Sequence, residues 1–202
     1  MGFNMNNQSS GCNGFICRLW NTLKTPSTKY SLGFLILVVF TVTSIFWIGF
    51  HYSMDATNTE EFCISCHEMK NFVFEEYKHT IHYSNRTGVR ATCPDCHVPK
   101  DWPHKIMRKI QSTNELMHKI LGTIDTPEKY EAKRLQLAEK VWAGMQATDS
   151  RECRNCHGFK FMDFSKQGED AADTHPEALE SDMTRIDCHK GIAHKLPEGY
   201  QD

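Results

Sequence analysis

Cys63-Ile-Ser-Cys66-His67 is the first of three stretches in this chain that read Cys-x-x-Cys-His. The others are Cys93-Pro-Asp-Cys96-His97 and Cys153-Arg-Asn-Cys156-His157. A fourth stretch, Arg185-Ile-Asp-Cys188-His189, keeps the final Cys-His pair and has arginine in place of the first cysteine. The pattern is that of a c-type haem attachment site, where two thiols bond to the porphyrin and the adjoining imidazole binds the iron. The sequence therefore predicts a protein with several covalently bound haems.

Paired cysteines also occur in zinc sites and in disulfides, which are the main alternatives to haem attachment. Neither of these requires a histidine directly after the second cysteine. In this chain a histidine follows every second cysteine of a pair, and it also follows the single cysteine of the fourth stretch. We therefore predict four haem c groups, the fourth held through one thioether. The cysteines that would carry them are Cys63, Cys66, Cys93, Cys96, Cys153, Cys156 and Cys188.

An uncharged apolar run, LGFLILVVFTVTSIFWIGF, extends from Leu32 to Phe50. As a helix it would be roughly 30 Å long, which matches the hydrocarbon core of a bilayer. A soluble core helix of such uniform apolarity would need a much larger protein around it. The run is also too long for the apolar part of a cleaved signal peptide. We predict one N-terminal transmembrane helix that acts as an uncleaved signal anchor.

The charges on either side of this run predict its orientation. Three basic residues and no acid precede it, whereas Asp55 and Glu60 follow it. By the positive-inside rule, the N-terminus lies in the cytoplasm and the rest of the chain is exported. The expected location is the inner membrane of a bacterium, with the haem domain in the periplasm. The expected domains are a cytoplasmic tail over 1–30, a transmembrane anchor over 31–52 and a haem domain over 53–202.

The exported part is acidic. All 25 acidic residues follow the apolar run, whereas three of the 23 basic residues precede it. Binding to a nucleic acid would require a basic face. We therefore expect no nucleic-acid partner.

The predicted fold is mainly α-helical, with the transmembrane helix followed by a small domain whose core is largely haem. Haem is a bulky apolar disc, so few aliphatic side chains are needed around it. One helix is predicted over Trp102–Leu121, where apolar residues recur at helical spacing. Another is predicted to begin at Pro127 with Thr126 as its cap. The polar stretch Gly158–Met183 predicts a loop.

Several strings around the motifs resemble the NapC/NirT family of tetrahaem quinol dehydrogenases. They are NTEEFCISCHEM at 58–69, GVRATCPDCHVP at 88–99 and IDCHKGIAH at 186–194, and the resemblance runs from about Thr25 to Pro197. The last two strings are most typical of the NapC branch. The resemblance implies a protein that oxidises menaquinol or ubiquinol at the membrane and passes electrons to a periplasmic terminal reductase. Periplasmic nitrate reductase is the first candidate.

Other acceptors and other functions stay open at this point. Periplasmic reductases of nitrite, fumarate or S- and N-oxides are alternative acceptors, and a second copy of the chain is a candidate partner through the anchor helix. A different class of function is a haem enzyme that itself reduces nitrite or hydroxylamine. The sequence offers no convergent Lys, Tyr and His cluster for that chemistry, so electron relay is favoured.

The predicted proximal iron ligands are the motif histidines, His67, His97, His157 and His189. The resemblance also implies distal ligands. It assigns His194 to the third haem and His82 to the fourth, and it includes His175 without indicating its haem. The sixth ligand of the second haem stays open. Met69 is implied as a ligand of the first haem, with thioether packing against the porphyrin as the alternative.

The family resemblance also places a quinol site near the first haem. Glu115 falls where the family has an acid, and Arg108 and Lys109 fall near its basic residue. We expect Glu115 to accept a quinol proton and Lys109 or Arg108 to bind the quinone oxygen. The alternative is a solvated, charged helix face.

Overall fold

The computed structural model describes residues 14–24, 26 and 28–200 of the 202-residue chain. Helices dominate, and the described residues contain no β-strand. The chain divides into two compact units, the first ending at Tyr52 and the second beginning at Ser53. The prediction of a mainly α-helical fold is confirmed.

Two helices precede the first motif, α1 over Phe15–Lys24 and α2 over Leu32–Ala56. Within the described part of the chain, α2 is the one helix long and apolar enough to cross a membrane, with a mean hydropathy of 2.3 over its best window. Its apolar side chains are exposed along its length. The helix continues beyond the predicted apolar run to Ala56, and it fits a single-pass membrane anchor.

The second unit is built from short helices around the motifs and three longer helices between them. The short elements are α3 (Glu60–Cys63), a π-helix (Met69–Phe74), α4 (Glu75–Tyr77), α5 (Cys93–His97), α8 (Arg151–Arg154), two 3₁₀ turns (Phe159–Phe161 and Phe164–Lys166) and α10 (Arg185–Cys188). The longer helices are α6 (Trp102–Ile120), α7 (Pro127–Ala147) and α9 (Glu169–Glu180). The predictions for α6 and α7 are confirmed, and Thr126 caps α7 by accepting a hydrogen bond from the Lys129 amide at 3.4 Å.

Two of the motif helices, α5 and α10, begin with the same capping arrangement of hydrogen bonds. Before α5, the Asp95 carboxylate accepts hydrogen bonds from the Thr92 amide and hydroxyl at 2.9 and 2.7 Å. Before α10, Asp187 does the same for Thr184 at 2.7 and 2.8 Å. Such capping boxes satisfy amides that a helix start leaves unpaired. They hold each Cys-His pair in a defined turn.

The prediction of a loop over Gly158–Met183 is wrong, because α9 occupies nearly half of that stretch. Glu169 and Asp170 lie in the first turn of α9, where acidic side chains interact favourably with the helix dipole. Pro176 lies inside the helix and removes one backbone hydrogen bond. The polar composition and the proline indicated a loop, although the acidic residues of the first turn favour a helix.

The second unit buries few apolar side chains of its own. Among the described residues, the buried hydrophobic side chains are those of Met54, Tyr77, Tyr130 and Ile186. A soluble domain of some 150 residues ordinarily removes far more apolar surface from water. The interior of this unit therefore suits bulky apolar groups bound between the helices.

Candidate haem-binding site

The four motifs lie next to one another in chain order. A hydrogen bond joins the Cys63 and Cys93 thiols and lowers the pKa of Cys63 to about 7. The second motif helix, α5, packs against α8 of the third motif. The Arg185 guanidinium of the fourth motif donates to the His157 carbonyl oxygen at 2.8 Å. Each motif therefore touches the next, from the first to the fourth.

Three pairs of histidine rings lie at nearly equal spacing. The ring centres are 6.2 Å apart for His97 and His194, 6.0 Å for His82 and His157, and 6.1 Å for His175 and His189. Each pair joins one motif histidine to one histidine from elsewhere. An imidazole nitrogen lies about 2 Å from the metal that it binds, and the ring centre about 1 Å further out. Two imidazoles on one iron therefore lie about 6 Å apart, so these pairs fit two-sided coordination of a haem.

These pairs differ from the assignment that the family resemblance implied. His194 lies against His97 of the second motif rather than against the third, and His82 lies against His157 of the third rather than the fourth. His175, which had no assigned haem, lies against His189. The difference arises from the tertiary structure, because the position of a histidine along the chain does not determine which motif its loop folds against.

Four of the six paired histidines lie in surroundings that favour the neutral ring. Burial lowers the pKa of His97 to about 4, and the nearby His194 acts in the same direction. Burial also lowers the pKa values of His157, His189 and His194. A neutral imidazole has a nitrogen lone pair available for a metal. The thiols, the spacing of the rings and their neutrality together fit haem c.

His175 has a partner that fixes its orientation. Its Nδ1 atom lies 2.6 Å from the side-chain oxygen of Gln167, and its ring contacts both Phe159 and Phe164. A hydrogen bond to one ring nitrogen orients the other toward a metal. Gln167 thus leaves Nε2 as the atom of His175 that would bind a haem iron.

Arg185 contacts the third motif from the position that a cysteine would occupy. Besides its bond to the His157 carbonyl, its guanidinium carbon lies 4.0 Å from the centre of the Phe159 ring. Phe159 in turn contacts His175, with ring centres 6.0 Å apart. Arg185 therefore connects the fourth motif to both His157 and the surroundings of His175.

The first motif differs from the other three. His67 is in none of the three pairs, and its Nε2 atom lies 3.4 Å from the buried Glu68 carboxylate. Lys119 of α6 binds the same carboxylate at 2.5 and 2.6 Å. Burial raises the pKa of Glu68, but the hydrogen bond and charge of Lys119, a main-chain hydrogen bond and the nearby His67 together outweigh burial, so the pKa is lowered overall. Met69 begins the π-helix directly after Glu68 and is partly exposed.

The three predicted quinol-site residues lie on α6 but do not form one cluster. Arg108 binds Glu115, with Nη1 2.8 Å from Oε1, and its Nε atom donates to the His97 carbonyl at 3.2 Å. Lys109 instead donates to the Thr57 carbonyl at 2.6 Å and lies near Cys63. Burial lowers the pKa of Lys109. The acid and Arg108 therefore border the second motif, and Lys109 borders the first.

Sequence reasoning missed an ion pair between Arg134 of α7 and Glu76 of α4. Their side chains are 7% and 12% exposed, and their nearest atoms are 2.6 Å apart. A signal was present, because Arg134 interrupts the apolar stripe of α7 one turn after Tyr130. A charge on a buried face needs a partner, but nothing in the pattern identified Glu76.

Comparisons with known proteins agree with these features. The family model for the NapC/NirT cytochrome c family, N-terminal region, matches residues 25–199. The NirT protein of Stutzerimonas stutzeri, described as a denitrification system component, is 59% identical over 177 residues, which are 88% of each chain. No solved structure matches the chain.

Two further relatives come from Escherichia coli K12. The cytochrome c-type protein NapC is 53% identical over 185 residues, covering 92% of each chain. The cytochrome c-type protein TorC is 43% identical over 182 residues, which cover 90% of this chain and 46% of TorC. The similarity therefore includes the anchor helix and all four motifs.

Proposed function

Because the chain belongs to the NapC/NirT cytochrome c family, we propose that it is a membrane-anchored tetrahaem cytochrome that oxidises quinol and passes the electrons to a periplasmic reductase. Haem c, when bound, supplies reversible one-electron chemistry. The observation that carries the proposal is the set of three histidine pairs beside a continuous series of motifs. Iron held on both faces by imidazole favours electron transfer over ligand chemistry, which argues against a nitrite or hydroxylamine reductase.

The residues that would hold the haems follow from these contacts. His97 with His194, His157 with His82, and His189 with His175 would bind three of them. His67, with Met69 as the candidate on the other face, would bind the first haem. The six cysteines of the complete motifs form two thioethers per haem, and Cys188 alone holds the fourth.

Quinol oxidation is supported by where α6 places its charged residues. Lys109 binds the carbonyl of Thr57, the residue that follows the membrane-spanning helix α2. Glu115 is half exposed, so it can receive a proton and release it to water. In this proposal Glu115 accepts a quinol proton, and the quinone oxygen is bound by Arg108, which contacts Glu115, or by Lys109, which lies apart from that pair.

The proposed topology follows from the anchor and its flanking charges. Residues 1–30 form a cytoplasmic tail, 31–52 cross the inner membrane, and 53–202 form the periplasmic haem domain. The anchor also offers a surface through which two copies could associate. The first candidate acceptor is periplasmic nitrate reductase, since NapC covers nearly the whole chain. A reductase of denitrification is the second candidate, favoured by the higher identity to NirT.

A reconstituted system tests the relay. The full chain in lipid vesicles is mixed with menaquinol or ubiquinol and with each candidate reductase in turn. A relay reduces its haems once and then consumes quinol continuously only when the correct reductase and its substrate are present. Continuous quinol oxidation by nitrite without any reductase would instead identify the chain as a terminal enzyme.

The Glu115→Gln variant tests the proton acceptor. We expect the rate of quinol oxidation to fall about 100-fold and to lose its dependence on pH, because a positioned base is removed. Reduction of the haems by dithionite should be unchanged. Glu139→Gln, on the exposed face of α7, is the matched control and should behave as wild type. An unchanged rate for Glu115→Gln at every pH would exclude this role.

A further inference from the structure

The segment that carries His194 has no regular secondary structure of its own. Residues 189–200 contain turns and bends only. Main-chain polar groups in such a segment need partners from elsewhere in the fold. Lys195, the residue after His194, finds two of them. Its amide donates to Glu76 Oε2 at 3.0 Å, and its carbonyl accepts from Arg134 Nη2 at 2.6 Å.

The two partners of Lys195 are bound to each other. Arg134 Nη1 and Nη2 donate to the two carboxylate oxygens of Glu76 at 2.7 and 2.6 Å. This bidentate geometry fixes the relative orientation of both side chains. A lysine ammonium group could not form two parallel hydrogen bonds of this kind. Both groups are mostly buried, so the loss of either leaves an uncompensated charge in the interior. The pair therefore has one stable arrangement, and that arrangement includes the main chain of Lys195.

The same contacts determine where the His194 ring lies. Its centre is 6.2 Å from that of His97 and 6.5 Å from that of Tyr77, which neighbours Glu76 on α4. We propose that Glu76 and Arg134 are positioning residues that hold His194 as the distal ligand of the second haem. This inference rests on the proposed function, since it requires a haem between His97 and His194. Without the ion pair, both main-chain contacts of Lys195 would weaken, and His194 would no longer be held where it could bind the iron.

The test counts the haems that acquire an open coordination site. Full-length wild type and Glu76→Gln are purified in detergent, and haem is quantified as the covalently attached fraction. Haem iron bound by two histidines does not take up carbon monoxide, whereas iron with a free position does. We expect Glu76→Gln to bind about one more carbon monoxide per chain than wild type. Added imidazole should restore the six-coordinate spectrum of the oxidised variant.

Three further variants make the result specific. His194→Gly is the reference and should open the same single haem. Arg134→Lys keeps the positive charge but loses the paired hydrogen bonds of the guanidinium. It should therefore also leave that haem with an open coordination site. Glu131→Gln is the matched control, because Glu131 binds the same guanidinium at 3.0 Å without reaching Lys195. It should bind no more carbon monoxide than wild type.

Each outcome decides the proposal. A wild-type stoichiometry in both Glu76→Gln and Arg134→Lys overturns it, and so does the opening of several haems at once, which would indicate a general role in folding. Covalent attachment keeps the haems on the chain, so the count is valid even for a destabilised variant. A wild-type protein without covalent haem would overturn the proposed function itself, and this separates the two failures.

Discussion

Arg185 is the single residue that breaks the pattern of the motifs, and its surroundings suggest what it contributes. A thiol at this position would form a second thioether to the fourth haem. The guanidinium instead binds the His157 carbonyl and stacks on Phe159. Contacts of this kind are worth about 1 kcal/mol each. They attach the fourth motif to the third by non-covalent means.

Arg185→Cys is therefore expected to complete the motif and form the missing thioether. The variant should keep four haems, and its pyridine haemochrome band should move to shorter wavelength, because one fewer vinyl group stays conjugated with the porphyrin. Arg185→Ser also removes the guanidinium but supplies no thiol, and its band should stay at the wild-type position. An identical band in Arg185→Cys would contradict attachment of the fourth haem through Cys188 alone.

At the scale of elements, the ion pair of Glu76 and Arg134 joins α4 to α7. Burial raises the pKa of Glu76, but hydrogen bonds from Arg134 and Lys195 outweigh it, so the pKa lies below its ordinary value of 4.5. A carboxyl group whose pKa is lower in the folded than in the unfolded protein stabilises the fold above the unfolded value. That contribution is lost as the pH falls through the folded value. Acid should therefore weaken the packing of α4 on α7.

Glu76→Gln should change both the size and the pH dependence of stability. At pH 7 we expect the free energy of unfolding to fall by about 3 kcal/mol, because Arg134 is left buried without its carboxylate. As the pH falls below 4.5, the wild type should lose stability more steeply than the variant. Thermal unfolding followed by circular dichroism across this range provides the measurement. Parallel curves for the two proteins would show that Glu76 titrates as an ordinary exposed acid.

At the scale of the whole molecule, the proposed role of the anchor is to keep the haem unit close to quinol in the membrane. A tether raises the effective concentration of the unit at the membrane without adding a contact. Replacing residues 1–52 by a cleavable signal peptide should give a soluble protein that still accepts electrons from dithionite. Its oxidation of quinol in vesicles should fall at least about tenfold.

A foreign transmembrane helix of the same length provides the control for this truncation. It should restore quinol oxidation, because the tether acts through length and apolarity rather than through particular side chains. A soluble form that oxidises vesicle-bound quinol at the full rate would show that the anchor does not serve this purpose.

The sequence alone determined the features that depend on neighbouring residues. The Cys-x-x-Cys-His motifs are contiguous, the apolar run is long enough to recognise from hydropathy, and α6 and α7 follow from helical spacing and a cap at Thr126. The same local reasoning missed α9, where Pro176 and a polar composition suggested a loop.

Only the tertiary structure decided which histidines meet. His194 lies 97 positions after His97, and His157 lies 75 positions after His82. Such pairs form because loops close over long distances onto particular helices, and the free energy of closure depends only weakly on loop length. The loop that carries His194, for example, is held by the contacts of Glu76 and Arg134 with Lys195. Those contacts have no periodicity and leave no local pattern in the sequence.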